Sequence, residues 1–395
     1  MRVDPGQEMF VKWQQGMRDT GSMRPVPEEL LKQLRTVSKD DRRRDESWNF
    51  APVGVLSHVE RDAINMHQLE AFARAFDVPL VKWPLQMVDE IENERLRRDL
   101  YADEPNLWGY FVQGAPIHLT ETLKSVRKLV NGSPALMDSL SFRDDEIPEQ
   151  LARAYARGGF EVVELDEAPR AVNVRIGGKQ SPTGQVPGSA PGSVLWHGIE
   201  LDDLSELITS VTSDAQVIPL LLSKNAEEVE LTGLVAATAN IAETVMVRLH
   251  QYQLAFALTD FKLQGRTLPK LILSICKRSK PPWMRLSCFY VLISRVRALE
   301  GLRLLQHDHE GLVAVSSLKH DEMLYAWEHG YGRGQWSDER AVAALKHIRA
   351  VRQRATQAGA AKRKAAVAAA AAKRKAMAAA VKKAVGAAKR KAAAR

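Results

Sequence analysis

The sequence is poor in cysteine, with only Cys276 and Cys288 among 395 residues. Two thiols without a C-x-x-C partner exclude a disulfide framework and a cysteine-rich zinc module, and they suit a reducing compartment. Long apolar runs are missing as well. No stretch of about 18 apolar residues occurs, so neither a transmembrane helix nor a membrane partner is expected. The opening MRVDPGQEMF lacks the apolar segment of a secretory signal, and none is expected. Acidic residues are missing from the C-terminal region. From Lys346 to Arg395 there are 16 lysines and arginines and no aspartate or glutamate. The whole chain carries +8, so residues 1–345 hold a net −8. An acidic body with such a tail seeks a polyanion through the tail. The hydrophobic fraction of 45% supports a sizeable core and excludes wholesale disorder. The length predicts two or three domains.

Residues 1–46 read as a polar leading segment, partly helical. Pro27 precedes EELLKQLRTV, where Leu30, Leu31 and Leu34 fall at helical spacing. The charge run Lys39 to Glu46 reads as a solvated loop. From residue 47 to 109 the pattern becomes α/β. Phe50 to Leu56 reads as a buried strand, and Ser57 with Glu60 as a capping box. The helix that follows carries Ile64, Leu69, Phe72, Ala73 and Phe76 until Val78-Pro79 stops it. PLVKW then reads as the second strand of a βαβ unit, the building block of a parallel sheet. Residues 110–250 read as a small, mainly β insertion. Its strands are a pair within YFVQGAPIHLT, a run through LVNGSPALMDSLSF with an Asn131-Gly132 turn, and FEVVELD, AVNVRI, VIPLLLS and VELTGLV. Ser181 to Ser193 is a flexible loop within it. The parallel sheet resumes over 251–310 with LAFAL, LILSI, FYVLI and LRLL as interior strands. Residues 311–345 connect to the tail, 346–395. That tail is rich in alanine but has no apolar stripe, so it is disordered in solution or helical once neutralised.

Ligands of parallel sheets sit at the carboxyl ends of the strands. The loops after LAFAL and FYVLI are therefore the places to seek chemistry. The first runs from Thr259 to Thr267 and offers hydroxyls, Lys262, the Gln264 amide and Gly265, where backbone can approach a ligand closely. The second, Ser294-Arg295-Val296-Arg297, sets two arginines at i, i+2. Guanidinium groups there suit the charge on a transferring phosphoryl group. Ordinary polar loop ends are the alternative.

Four ordered stretches carry a resemblance. LAFALTDFKLQGRTLPKLIL and FYVLISRVRALEGLRLL resemble the last two motifs of superfamily-1 DNA helicases, specifically the PIF-type family with its RecD-like and Helitron-encoded relatives. APVGVLSHVERDAIN with AFARAFDVPLVKW resembles the opening of the second RecA-like domain. FVQGAPIHLT with KLVNGSPALMDSL resembles the start of the small β insertion. The resemblance runs from Trp48 to Leu305. It implies a RecA-like parallel sheet flanked by helices, with an inserted SH3-like β domain. It implies that Arg295 is an arginine finger and that Gln264 and Gly265 couple nucleotide state to the DNA track. Thr259 and Lys262 then meet the single-strand backbone, and Arg297 is a DNA contact and the second choice for the finger. Phe261 stands where the family often has His and suits stacking on a base. Leu263 stands where a small residue is usual.

A phosphate-binding loop, G-x-x-x-x-G-K-S/T, is absent. The nearest string, Gly177-Gly178-Lys179-Gln180, reads as a hairpin turn. The ATP and Mg²⁺ that the resemblance implies would then be held mainly by a first RecA-like domain or a partner ATPase. The expected function is the C-terminal portion of an ATP-dependent DNA helicase of repair or recombination, inactive as an ATPase by itself. The alternative is a non-enzymatic DNA- or chromatin-binding protein built on a decayed helicase domain. A regulatory subunit that lends Arg295 in trans is a third reading. In the tail, Lys362-Arg363-Lys364, Lys373-Arg374-Lys375, Lys382-Lys383 and Lys389-Arg390-Lys391 resemble linker-histone tails. They predict salt-dependent binding to single strands and to non-specific duplex, and they suit nuclear import, an organelle being the alternative location. His307-Asp308-His309-Glu310 has metal-ligand residue types, but reads as a solvated strand end with no metal expected. Tyr331 to Trp336 (YGRGQW) mixes Arg, Gly and aromatics as single-strand binders do, and reads as a loop.

Overall fold

The computed structural model describes residues 4–21, 25–88, 91, 93–123, 125, 129–142, 147–176, 216–231, 244–278, 281–332, 334–354 and 356–358. The Gly177 to Gln180 turn, the Ser181 to Ser193 loop and the tail clusters from Lys362 onward lie outside them. The chain forms two compact units, Met1–Val11 with Glu28–Ser316 and Lys12–Pro27 with Ser317–Arg395. Helix α1 (Glu8–Gly16) supplies residues to both. Among the described residues no helix is long and apolar enough to cross a membrane.

The first unit is mixed α/β. Its parallel sheet has the order β13–β1–β14–β15, made of β1 (Val53–Val55), β13 (Ala257–Thr259), β14 (Leu271–Leu273) and β15 (Leu302–Leu304). Successive side chains of a strand leave on opposite faces. Val53 and Val55 pack with Trp48 and with Ile64 of α4 (His58–Phe76). Gly54 faces the other way, where a Cβ would stand 2.8 Å from Leu292 and 3.3 Å from Leu263. Leu263 belongs to α7 (Asp260–Leu263) and Leu292 to α8 (Leu286–Ile293), so helices flank both faces.

Strand order departs from the expected βαβ unit. Both edges of β1 are occupied, by β13 at Val53–Ala257 and by β14 at Val53–Ile272, so the strand after α4 finds no edge there. Asp77, at φ 54°, ends α4 in the left-handed region, and Val78-Pro79 lead into another sheet. There β2 (Leu80–Pro84) pairs antiparallel with β4 (Trp108–Phe111) and parallel with β7 (Val162–Glu164). The pair expected within YFVQGAPIHLT is split. Gly114, at φ 83°, turns the chain out of β4, and β5 (Pro116–Leu119) enters a five-stranded antiparallel sheet. That sheet has the order β12–β5–β6–β8–β9, with β6 (Pro134–Ser141), β8 (Ala171–Ile176), β9 (Gln216–Leu221) and β12 (Tyr252–Leu254). The Asn131-Gly132 turn is present before β6, with Gly132 at φ 90°. A third sheet joins β10 (Glu227–Glu230), β11 (Thr244–Arg248) and β3 (Gln86–Met87). The sequence reading missed β11, although Val245 and Val247 are both buried at a period of two.

LAFAL is not one strand. Leu254 closes β12 in the antiparallel sheet, and Ala257 opens β13 in the parallel one. Asn65, buried on α4, holds the switch. Its Nδ2 donates to Leu254 O at 3.1 Å and its Oδ1 accepts from Ala257 N at 2.7 Å. No other ladder serves these two groups, because the chain is changing sheets. Asn65→Ala leaves a buried N–H and a buried C=O unpaired, and an unmet buried group costs about 1–3 kcal/mol. The expected loss of unfolding free energy is about 2–4 kcal/mol on that basis, read by urea titration at unchanged slope. A loss below about 1 kcal/mol would show that water replaces the amide.

FYVLI is not a strand either. It is the end of helix α8, whose buried Leu286, Phe289, Leu292 and Ile293 fall at spacings of three and four. A short apolar run does not separate buried strand from buried helix by periodicity, and the preceding LSC supplies the length for two turns. The run at Lys39 is no loop. Ser38 and Asp41 form a capping box at the start of α3 (Lys39–Arg44), which follows α2 (Glu28–Gln33). The Ser38 hydroxyl, ahead of Arg303, holds the Asp41 carboxyl down to about 2. Arg303 pairs with Asp41 at 3.1 Å, and Lys270 pairs with Asp45, so the run is tied to the sheet. The capping box expected at Ser57 is half formed. Ser57 Oγ accepts from Glu60 N, but the Glu60 carboxylate turns instead to Arg278 and Ser274 beyond β14. Helices α5 (Glu94–Asp103) and α6 (Glu149–Arg157) complete the unit with α9 (His309–Ser316).

Candidate nucleic-acid interface

β13 ends at Thr259, and the chain turns at once into α7. Asp260 and Leu263 point inward, Thr259 is buried, and Phe261 stands 81% exposed. Gln264 N donates to Asp260 O at 3.0 Å and closes the helix. Gly265 then adopts φ 82°. A Cβ there would meet nothing, so backbone conformation rather than space calls for glycine. The turn continues as Arg266 N donates to Leu263 O at 3.1 Å.

A second turn comes to meet it. Lys262 Nζ donates to Asn131 Oδ1, and Arg266 donates to Gly132 O at 2.6 Å. Both acceptors are neutral. Among the described residues no carboxylate forms an ion pair with either cation, though the charge of Glu227 acts on Lys262 from a distance. Neighbouring groups register these charges. Burial and then the charges of Lys262, Arg266 and Arg61 push His118 down to about 3, so its imidazole is neutral. Burial first, then Arg266 and Arg61, lower the Lys262 ammonium against the opposing charge of Glu227. Cations without an ion-pair partner among the described residues, beside an exposed ring, match a phosphate next to a base.

Lys262 and Asn131 line a cleft of about 720 Å³. Arg61 and His58 of α4 also line it, as do Glu227, Glu228 and Glu230 of β10. The charge of the cleft is thus mixed. A larger cleft, about 1210 Å³, is lined by Lys82, Arg97, Arg98, Arg170, Tyr101 and Trp108.

Arg295 lies beside the Gln264–Arg266 turn. Its Nε donates to Val291 O at 2.8 Å, one terminal nitrogen to Arg266 O at 3.3 Å and the other to Ser294 Oγ at 2.6 Å. Leu268 N donates to Arg295 O at 2.8 Å. The rim differs from the expected one. As the crossover between parallel β14 and β15, α8 runs against the strands and delivers its C-terminal end where they begin. The Leu268–Val296 bridge, just ahead of both strands, marks that rim. Thr259, Phe261 and Lys262 stand at the opposite end of β13, and the returning 264–268 segment joins the two.

No family model matches the chain, and no curated protein matches it. Solved structures do. The chain is similar to the Pif1 helicase of Candida albicans at 15% identity and a TM-score of 0.41, over 82% of this chain and 58% of that one. It is similar to a structure of DNA unwinding at forked dsDNA by two coordinating Pif1 helicases at 14% identity and a TM-score of 0.44, over 84% and 53%. It is similar to Bacteroides Pif1 bound to ssDNA at 14% identity and a TM-score of 0.43, over 84% and 55%. The chain therefore spans 53–58% of the length of these structures.

The remaining sequence candidates are dispersed. Arg297 is exposed, and its carbonyl accepts from Asp4 N at 3.2 Å. The His307 to Glu310 string is not on a strand: Asp308 accepts from Gly311 N at 3.1 Å as α9 begins, which sets the two histidines apart from any shared strand face. Among the described residues no group of three His, Cys, Asp or Glu gathers to hold a metal. Cys276 and Cys288 are free thiols, and burial pushes the Cys288 thiol up. YGRGQW is a hairpin rather than a loop, with β16 (Tyr331–Gly332) against β17 (Gln335–Trp336). Sequence reasoning gave Arg266 and Asn131 no role in a site, although the Asn-Gly turn signal was visible.

Proposed function

We propose that the first unit is the single-strand-tracking part of a PIF-type DNA helicase. The observation that carries this reading is the meeting of Lys262 and Arg266 with the Asn131-Gly132 turn beside exposed Phe261. Both turns fall in stretches that resemble helicase motifs. A base stacks on Phe261 while Lys262 and Arg266 face the phosphates. The residues present do not fit a resident ATP–Mg²⁺ site, since the chain has no phosphate-binding loop and no three described acids are placed to hold a metal ion. Arg295 is proposed as the finger toward a nucleotide held elsewhere on the resemblance of its stretch alone, because it stands where the strands begin and not at the carboxyl ends first expected. In that role it exchanges its Ser294 and Arg266 partners for the phosphate.

The test uses the chain lacking residues 359–395, so that the tail does not mask the body. Fluorescence anisotropy with labelled oligothymidylate is expected to show about a tenfold loss for Phe261→Ala, a stacking effect, with duplex binding unchanged. Lys262→Ala weakens both ligands and flattens the salt dependence by about one phosphate contact. If the tail-less chain binds no single strand at all, the tracking reading fails. The second reading, a decayed helicase domain tethered to DNA by its tail, then takes its place. The net −8 of residues 1–345 is the observation that favours that reading.

A further inference from the structure

The second unit presents a row of exposed rings that the helicase reading does not use. Helix α10 (Glu322–Gly330) runs into the β16–β17 hairpin, and a further helix, α11, covers 338–354. Trp327, Tyr331 and Trp336 are 55%, 47% and 45% exposed, so about half of each large ring meets solvent. They touch in sequence. Trp327 and Tyr331 lie 5.4 Å apart at 72°, and Tyr331 and Trp336 lie 5.2 Å apart at 64°. Edge-to-face contacts of this kind leave ring faces open for a further partner.

The row is held before any ligand arrives. Gly330 lets Trp336 lie against the backbone, since a Cβ there would stand 2.3 Å from the indole ring. The indole N–H is spent on Asp338 Oδ1 at 2.7 Å, so the ring has only its apolar surface to offer. Arg340 donates to Gly330 O at 3.1 Å and to Gln335 O, clamping both ends of the hairpin. Gly334, at φ 78°, makes the tight turn between the strands. Rings fixed by the fold lose little freedom when a ligand stacks on them.

Charge selects the ligand. Residues 317–358 carry seven lysines and arginines against five acids, and the sequence that follows adds twelve more with no acid. Stackable faces in a chain that continues into a cationic tail match a polyanion whose bases are open. A duplex hides its bases inside the stack, whereas a single strand exposes them. We propose that Trp327, Tyr331 and Trp336 form a stacking platform for single-stranded nucleic acid, separate from the Phe261 turn. It stands on its own observations and survives the failure of the helicase reading.

Binding of oligothymidylate and of a duplex of equal length is compared in the full chain at raised salt, where phosphate contacts weaken and stacking persists. The pair Trp327→Ala with Tyr331→Ala is expected to lower single-strand affinity about tenfold or more, with duplex affinity unaltered. Trp327→Phe with Tyr331→Phe keeps the ring faces and most of the affinity. Equal losses for both ligands, or none, overturn the platform. So does a shift from dimer to monomer by light scattering with single-strand affinity intact, since the face would then be a seam between copies. Ultraviolet crosslinking of the unaltered chain is the readout that needs no folded variant. Crosslinks within residues 326–336 support the proposal, and their absence sinks it.

Discussion

Phe72→Ala is expected to lower the unfolding free energy by about 3–5 kcal/mol, the range for a fully buried phenylalanine. Phe72 is 1% exposed on the inner side of α4. Its ring lies 5.0 Å from Phe50, 4.4 Å from Phe76 and 5.6 Å from Phe256. Truncation empties the centre of that cluster, and neighbouring aromatic pairs lose about 0.5–1.5 kcal/mol each beyond simple burial. The consequence reaches the interface, because Phe256 stands at the sheet switch just before β13. A loosened switch loosens Thr259 and Lys262. Denaturant titration measures the stability, and anisotropy with single strands measures the interface. Phe72→Leu, nearer in volume, should cost less than half as much. An alanine variant within about 1 kcal/mol of the parent would mean that the cluster refills the void or was never the core.

Deleting residues 359–395 is expected to cost the greater share of duplex affinity. The deletion removes twelve lysines and arginines and takes the net charge from +8 to −4. Each phosphate neutralised on a duplex contributes about 0.9 to the slope of log affinity against log salt. If half of the twelve cations meet phosphates, the slope falls by about 5 and the low-salt affinity by about a thousandfold. Sequence-independent binding of this kind should treat any duplex alike. A salt titration of both chains decides it. A slope altered by less than about 1 would exclude the tail as the main phosphate contact. Single-strand binding is expected to survive in part, since the Phe261 turn and the ring platform remain in the shortened chain.

Much of the local structure was legible. Ser57 signalled the start of α4 because a side-chain oxygen there meets an otherwise unpaired N–H. Asn131-Gly132 signalled a turn because glycine takes a positive φ without strain. The strands at Val53, Pro134, Ala171, Leu271 and Leu302 showed in their apolar residues. FYVLI misled because five apolar residues in a row carry no period. LAFAL misled because a run of apolar residues does not show where the chain leaves one sheet for another; buried Asn65 marks that place, and it lies 192 residues before Ala257.

The sequence by itself determined the charge division between body and tail, the lack of a phosphate-binding loop, and most of the strands and turns. These depend on composition or on neighbours a few residues apart. The tertiary structure alone decided which sheet each strand joins, where Arg295 stands, and that Lys262 meets Asn131 across 131 positions. Strand partners and converging turns are set by which edges remain free once the core has packed, and that competition among distant segments leaves no mark on any one of them.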